Sequence, residues 1–174
     1  ILEIQMKQNM LLLLALLLSL SFIGCSKQEE VTSAAEIDRS TSCSLDGMIL
    51  VDYPGPKAQI HYDKGEADFF CDTMEMFSIY LRPEQKKRLK AMFTQDMGKT
   101  PWEQPSGNWI DAKSAYYVIG SKKPGAMGPT LAAFAGMEDA QTFVKQYGGK
   151  ILKFDEVTLN MVSLDGGAQH DERM

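Results

Sequence analysis

Glycine and proline cut this chain into pieces too short for anything but small sheets and short helices. Pro54-Gly55-Pro56-Lys57 is a strong turn, and Asp63-Lys64-Gly65 turns the chain again. Pro101 and Pro105 mark a loop over 100–107, a Gly/Pro loop spans 120–129, and Gly148-Gly149 is a helix stop.

The stretches between these breaks read as elements. Residues 48–52 predict a strand, and 58–62 alternate and pair with it as a hairpin. Residues 67–71 form a short apolar strand. Asp72 followed by Glu75 has the form of a capping box and opens a helix with Met74, Phe77 and Leu81 on its apolar face. Pro83 ends that helix and suits the first turn of a second one. There Leu89, Met92 and Phe93 face inward, and Lys86, Lys87, Arg88 and Lys90 are solvated.

A second half begins after the 100–107 loop. Residues 109–111 and 115–119 predict strands, 130–135 a small apolar strand, and 150–154 a closing strand. Met137, Ala140, Phe143, Val144 and Tyr147 form one helical face, with Glu138 and Asp139 suited to its N-terminus. Both halves run two strands, a short third element, then a helix. Phe70-Cys71-Asp72-Thr73-Met74-Glu75 weakly echoes Phe134-Ala135-Gly136-Met137-Glu138, which is compatible with an internal duplication but is thin support for one by itself.

The N-terminus belongs to export. Lys7 supplies a basic region, residues 10–18 an apolar run, and small Gly24 precedes Cys25. The run is too short for a membrane span and reads as a signal peptide over 1–24, with Met6 the expected start and Ile1–Gln5 an upstream extension. The Phe22-Ile23-Gly24-Cys25 box argues for lipidation of Cys25. Polar residues 25–42 then read as a flexible tether. A domain is expected over 43–162, with halves at about 43–99 and 100–162, and a mobile tail over 163–174.

Cleavage before Cys25 leaves 150 residues, enough for one domain or two small halves sharing a core. Removing Glu3 and Lys7 leaves the formal charge at −5. The mildly acidic charge and the lack of a basic tract argue against nucleic acid as a partner. Membrane attachment would come from acyl chains.

Cys43-Ser44-Leu45-Asp46-Gly47-Met48 carries the chemistry. A thiolate with thioethers suits a soft metal, above all Cu(I). Cys43 is both nucleophile and soft ligand. The alternative is a disulfide to Cys71, the default for two cysteines in an oxidising compartment. Gly47 permits a sharp turn that aims Met48, and Met127 lies in a Gly/Pro loop with little core to fill. Met74, Met76, Met92, Met137 and Met161 fit ordinary packing.

Asp46 is either a solvated turn residue or a ligand to a harder neighbouring ion such as Zn(II), shared with Cys43 and an imidazole. His61 sits in the hairpin; His170, in the tail, is free to reach a site. No phosphate loop, His-Glu-x-x-His or Gly-x-Ser-x-Gly pattern occurs.

Four stretches make the chain resemble the NosL family, lipoprotein copper chaperones associated with nitrous oxide reductase. They are Cys43 to Met48 with the following Ile-Leu; Tyr53-Pro-Gly-Pro-Lys57 leading to Gln59; Gly125-Ala-Met-Gly-Pro-Thr130 leading to Ala133-Phe134; and Gly148-Gly-Lys-Ile-Leu-Lys-Phe-Asp155. The resemblance spans roughly residues 43–156. It implies an α+β domain of two ββαβ halves, a fold also found in part of organomercurial lyase. It also implies a Cu(I) carrier, not an enzyme, that helps build the copper-sulfur centre of nitrous oxide reductase by docking to a membrane maturation or transport complex. The protein would be periplasmic and lipid-anchored at the outer membrane. The family motif holds Cys or Asp at the place of Asp46. The carry-over covers Cys43, Met48 and Met127, whereas Cys71 and Met74 match no fixed family ligand. The alternative function is a periplasmic thiol enzyme or redox protein using Cys43 and Cys71.

Overall fold

The computed structural model describes residues 33–82 and 89–163. The expected signal peptide, Cys25, His170 and most of the expected tail lie outside them, as do residues 83–88.

The first half contains β1 (Ala58–Tyr62), β2 (Asp68–Phe70), α1 (Thr73–Tyr80) and β3 (Leu89–Gln95), joined by β4 (Trp109–Asp111). The sheet is antiparallel, in the order β2-β1-β3-β4. Ala58 stands between Phe70 and Thr94, and Thr94 pairs onward with Ile110. The second half contains β5 (Tyr116–Ile119), β6 (Ala132–Phe134), α2 (Met137–Tyr147) and β7 (Lys150–Lys153), in the order β6-β5-β7. Each half is therefore a ββαβ unit with its first strand in the middle. The class is α+β, and both halves build the same three-strand pattern.

Local chemistry explains both helices. The Asp72 carboxylate accepts the Met74 N–H, and Glu75 reaches back to the cap, closing the predicted capping box. Such a cap contributes about 1 kcal/mol. The helix stops before Pro83, whose ring disfavours helical geometry in the residue ahead. α2 carries Glu138 and Asp139 at its N-terminus and Lys145 near its end, and it closes on Gly148 at φ +74°.

The halves share a core. Ile60, Phe70, Met76, Phe77 and Met92 pack against Tyr117, Leu131, Ala133 and Leu152. Phe77 meets Tyr117 edge-on at 5.0 Å. The next residue, Val118, faces the other way, toward Phe134, Ala140 and Phe143 under α2. Strand alternation thus lets the second sheet bury one face on its helix and the other on the first half. The Met97 N–H donates to the Ala133 carbonyl, and the Ala135 N–H to Asp96 Oδ1.

Several expectations are corrected. The predicted second helix is β3, because residues 89–95 complete the sheet against all of β1. Positions 89, 92 and 93 fit a helical stripe, but the long-range pairing overrides it. Residues 48–52 are not a strand of a hairpin: Leu50–Asp52 is a single 3-10 turn, and β1 pairs with β2 and β3 instead. Trp109–Asp111 joins the first sheet, not the second. Met76 and Met92 are core, whereas Met137 and Met161 are exposed. Residues 35–42, expected as tether, lie against the domain. Gln59 clasps Ala35 through both amide atoms, at 2.8 and 3.0 Å, and Ser42 bridges Ile49.

Candidate metal-binding site

The 43–48 segment is a closed loop. The Cys43 N–H donates to the Met48 carbonyl at 2.8 Å, and the Gly47 N–H to the Cys43 carbonyl at 2.9 Å. Gly47 adopts φ +78°, which a residue with a Cβ resists. Asp46 Oδ1 accepts the Met48 N–H at 2.9 Å. Ser44 fixes where the loop docks. Its N–H donates to the Phe69 carbonyl at 2.7 Å, and its hydroxyl accepts the Phe69 N–H at 3.0 Å. That attachment, two residues before Cys71, brings Cys43 beside the end of β2.

Cys43, Leu50 and Cys71 form a small buried cluster, with Met48, Ile37, Phe69 and Ala126 packed on it. Both cysteines are free thiols, 3% and 0% exposed. Glu75 Oε2 joins them. It accepts from Cys43 Sγ at 3.3 Å, from Cys71 Sγ at 3.2 Å, from the Cys71 N–H at 3.0 Å and from the Asp72 N–H at 3.3 Å. Asp46 Oδ2 lies 3.9 Å from Cys71 Sγ. One ligand atom from each of Cys43, Asp46, Cys71 and Glu75 falls within 4.8 Å of every other.

The pair of thiols is electrically asymmetric. The Cys71 thiol can donate to a Cys43 thiolate, and this pulls the Cys43 thiol below its ordinary range. Burial opposes the shift, and the Leu45 N–H assists it. The same pairing, together with burial and the charge of Glu75, pushes Cys71 strongly up. Cys43 is thus the first of the two to ionise, and the thiolate is the form that ligates soft metals.

A buried cation stands behind the cluster. Lys57 is 0% exposed, and its ammonium donates to the Pro54 and Cys71 carbonyls, each at 3.0 Å. Burial lowers its pKa to about 8, against the opposing pull of Asp72, Cys71, Glu75 and Cys43. Burial also raises Asp72 to about 7, opposed by the Met74 amide and Lys57.

The loop containing Met127 reaches the site. The Gly125 N–H donates to the Gly128 carbonyl at 2.7 Å, and Trp102 Nε1 holds Pro124 at 2.9 Å. Gly125 is required there, because a Cβ would come within 2.5 Å of Asp72 Oδ2. Ala126 packs on the Cys43–Cys71 cluster, while Met127 itself is 49% exposed. Met48 is half-buried beside the thiols. His61 is engaged elsewhere, 2.6 Å from Gln59 Oε1 and edge-on to Phe93.

The structure therefore brings Cys43, Asp46 and Met48 together and packs Ala126, the neighbour of Met127, on the Cys43–Cys71 cluster. Cys71, Glu75 and Lys57 were not among the predicted ligands. The Cys71-x-x-x-Glu75 spacing across the capping box was the available signal. Lys57 gave none beyond its place in a turn. Chemically, the thiols and the Met48 thioether fit a soft monovalent ion.

Fold and site together define a duplicated ββαβ domain with a buried, sulfur-bearing cluster of potential metal ligands. The family model described as NosL matches residues 34–162. The chain is 40% identical to the copper-binding lipoprotein NosL of Stutzerimonas stutzeri over 167 residues, covering 91% of this chain and 87% of that protein. It is 38% identical to the copper-binding lipoprotein NosL of Achromobacter cycloclastes, covering 66% and 62%. The crystal structure of the copper chaperone NosL from Shewanella denitrificans superposes with a TM-score of 0.70 at 38% identity, covering 74% of this chain and 97% of that one. The chain belongs to the NosL family.

Proposed function

We propose that this protein is a metallochaperone that carries Cu(I) as cargo, and that it is not an enzyme. The carrying observation is the buried Cys43 thiol, its ionisation eased by its partner, with the Met48 thioether packed beside it. Relatives named as copper-binding proteins support the same reading. Cys43 thiolate and the Met48 and Met127 thioethers hold the ion. Few ligands, at least one of them on an exposed loop, let an acceptor displace them one at a time. Asp46 and His170 serve a neighbouring harder ion such as Zn(II).

The acceptor in this proposal is the copper-sulfur centre of nitrous oxide reductase, reached through its membrane maturation complex. Lipidation at Cys25 would anchor the protein in the periplasm, at the outer membrane. Relatives named as lipoproteins support the anchor.

The test is anaerobic Cu(I) competition against a chelator with Cys43→Ala. Affinity should collapse, and an unchanged affinity would sink the proposal. The competing thiol-redox reading draws on the proximity of Cys43 and Cys71. Intact mass of protein isolated from cells separates the two: reduced thiols favour the carrier, a quantitative internal disulfide the redox protein.

A further inference from the structure

We infer that Cys71 is a second thiolate ligand, so that this chain holds Cu(I) between two cysteine sulfurs with the methionines as outer, displaceable ligands. The inference rests on the copper-carrier reading and extends it.

Geometry comes first. The two sulfurs belong to a cluster whose ligand atoms lie within 4.8 Å of one another. Metal–thiolate bonds of about 2.3 Å let one ion bridge sulfurs up to roughly 4.6 Å apart. Cys71 is also the most fixed sulfur in the site: its residue ends the first link into α1, its N–H is held by Glu75, and its carbonyl by Lys57.

Charge acts from both sides: the Glu75 carboxylate opposes a Cys71 thiolate, and the buried Lys57 ammonium favours it. Loading follows 2 R–SH + Cu⁺ → [RS–Cu–SR]⁻ + 2 H⁺, with the two protons released to water and no electron transferred. The product carries one negative charge inside the protein, and such a charge needs a partner. Lys57, fully buried and bonded to Cys71 itself, is a cation already in place. A site of Cys43 and two thioethers would be neutral and would give that ammonium nothing new to balance. Nor does loading strand Glu75. Its Oε2 loses two thiol donors and keeps the N–H groups of Cys71 and Asp72.

The sulfurs then form a gradient of depth. Cys71 is 0% exposed, Cys43 3%, Met48 half-buried and Met127 49%. An acceptor meets the weak thioethers first and the thiolates last, so the inner pair sets affinity and the outer pair sets access.

The experiment uses the full chain in detergent, loaded anaerobically, with copper-edge X-ray absorption counting sulfur neighbours and a chelator competition giving affinity. Cys71→Ser should lose one sulfur neighbour and bind at least about tenfold more weakly. If Cys71→Ser keeps both values while Cys43→Ser loses binding, the inference is overturned and the carrier reading stands. If neither substitution matters, the carrier reading falls and takes the inference with it. Should Cys71→Ser fail to fold, the Met48→Leu/Met127→Leu double variant decides: two remaining sulfur neighbours support the inference, and one overturns it.

Discussion

The Lys57 ammonium, wholly buried, donates to the Cys71 carbonyl oxygen at 3.0 Å and to nothing negatively charged within salt-bridge range among the described residues. Its partners are carbonyls, and its charge is balanced only at a distance by Asp72, Glu75 and the thiols. A buried cation without a close counter-ion is costly, so removing it relieves desolvation, but removal also takes the donor from the Pro54 and Cys71 carbonyls. Lys57→Met should therefore fold with a loss of no more than about 1–3 kcal/mol. Its Cu(I) affinity should drop by about tenfold, or ~1.4 kcal/mol, since the negative centre loses its compensation. Chelator competition at pH 7 reads this directly, and an affinity equal to wild type would remove Lys57 from the site.

Asp72 links pH to stability. Its carboxyl rises from 3.8 to about 7 through burial. Between those values the native state holds a proton that the unfolded chain has released. The contribution of Asp72 is therefore fully present below about pH 4 and is lost as pH climbs toward 7, at up to about 1.4 kcal/mol per pH unit. Asp72→Asn keeps the capping oxygen and removes the ionisation. Urea titrations across pH 4.5–7.5 should show a falling midpoint in wild type and a flatter one in the variant. Parallel profiles would refute the assignment.

Glu75 should matter more to folding than its single charge suggests. Glu75→Ala strands the N–H groups of Cys71 and Asp72, each at about 1–3 kcal/mol. A loss of about 2–4 kcal/mol is expected by denaturant titration. A loss below ~1 kcal/mol would mean that water takes over the acceptor role.

Gly125→Ala forces a methyl group toward Asp72 and Thr130, where a Cβ would stand 2.5 and 2.7 Å from the nearest atoms. Overpacking of this kind costs about 1–3 kcal/mol. Thermal unfolding measures it, and an unshifted midpoint would show that the loop gives way freely.

Met127→Leu separates stability from binding. The side chain is 49% exposed, so unfolding should move by no more than about 0.5 kcal/mol. If the thioether ligates, Cu(I) affinity still falls severalfold. Unchanged affinity would take Met127 out of the ligand set.

What the sequence made legible was local chemistry. Asp72 and Glu75 announced a cap, Gly148 announced a stop, and Gly47 announced the turn beside Cys43; the structure contains all three. Pairing was harder to read. Residues 89–95 offer a helical stripe as readily as a strand, and only five pairing partners in β1 decide the matter. Trp109–Asp111 looked like the start of the second half because nothing local records that Thr94 pairs with Ile110. The site divides in the same way. The Cys43–Met48 loop is a contiguous motif, whereas Cys71 reaches it through Ser44 clamping Phe69, a contact spanning 25 residues.

The Gln59 clasp on Ala35 has a mechanical meaning. Two hydrogen bonds from one buried side chain grip the backbone eight residues before Cys43. Any tug on the chain ahead of Ala35, from a membrane or a docking event, is borne first by the central strand of the sheet. The grip acts as strain relief, like the collar on a cable, and leaves the thiol loop slack while the rest of the molecule is pulled.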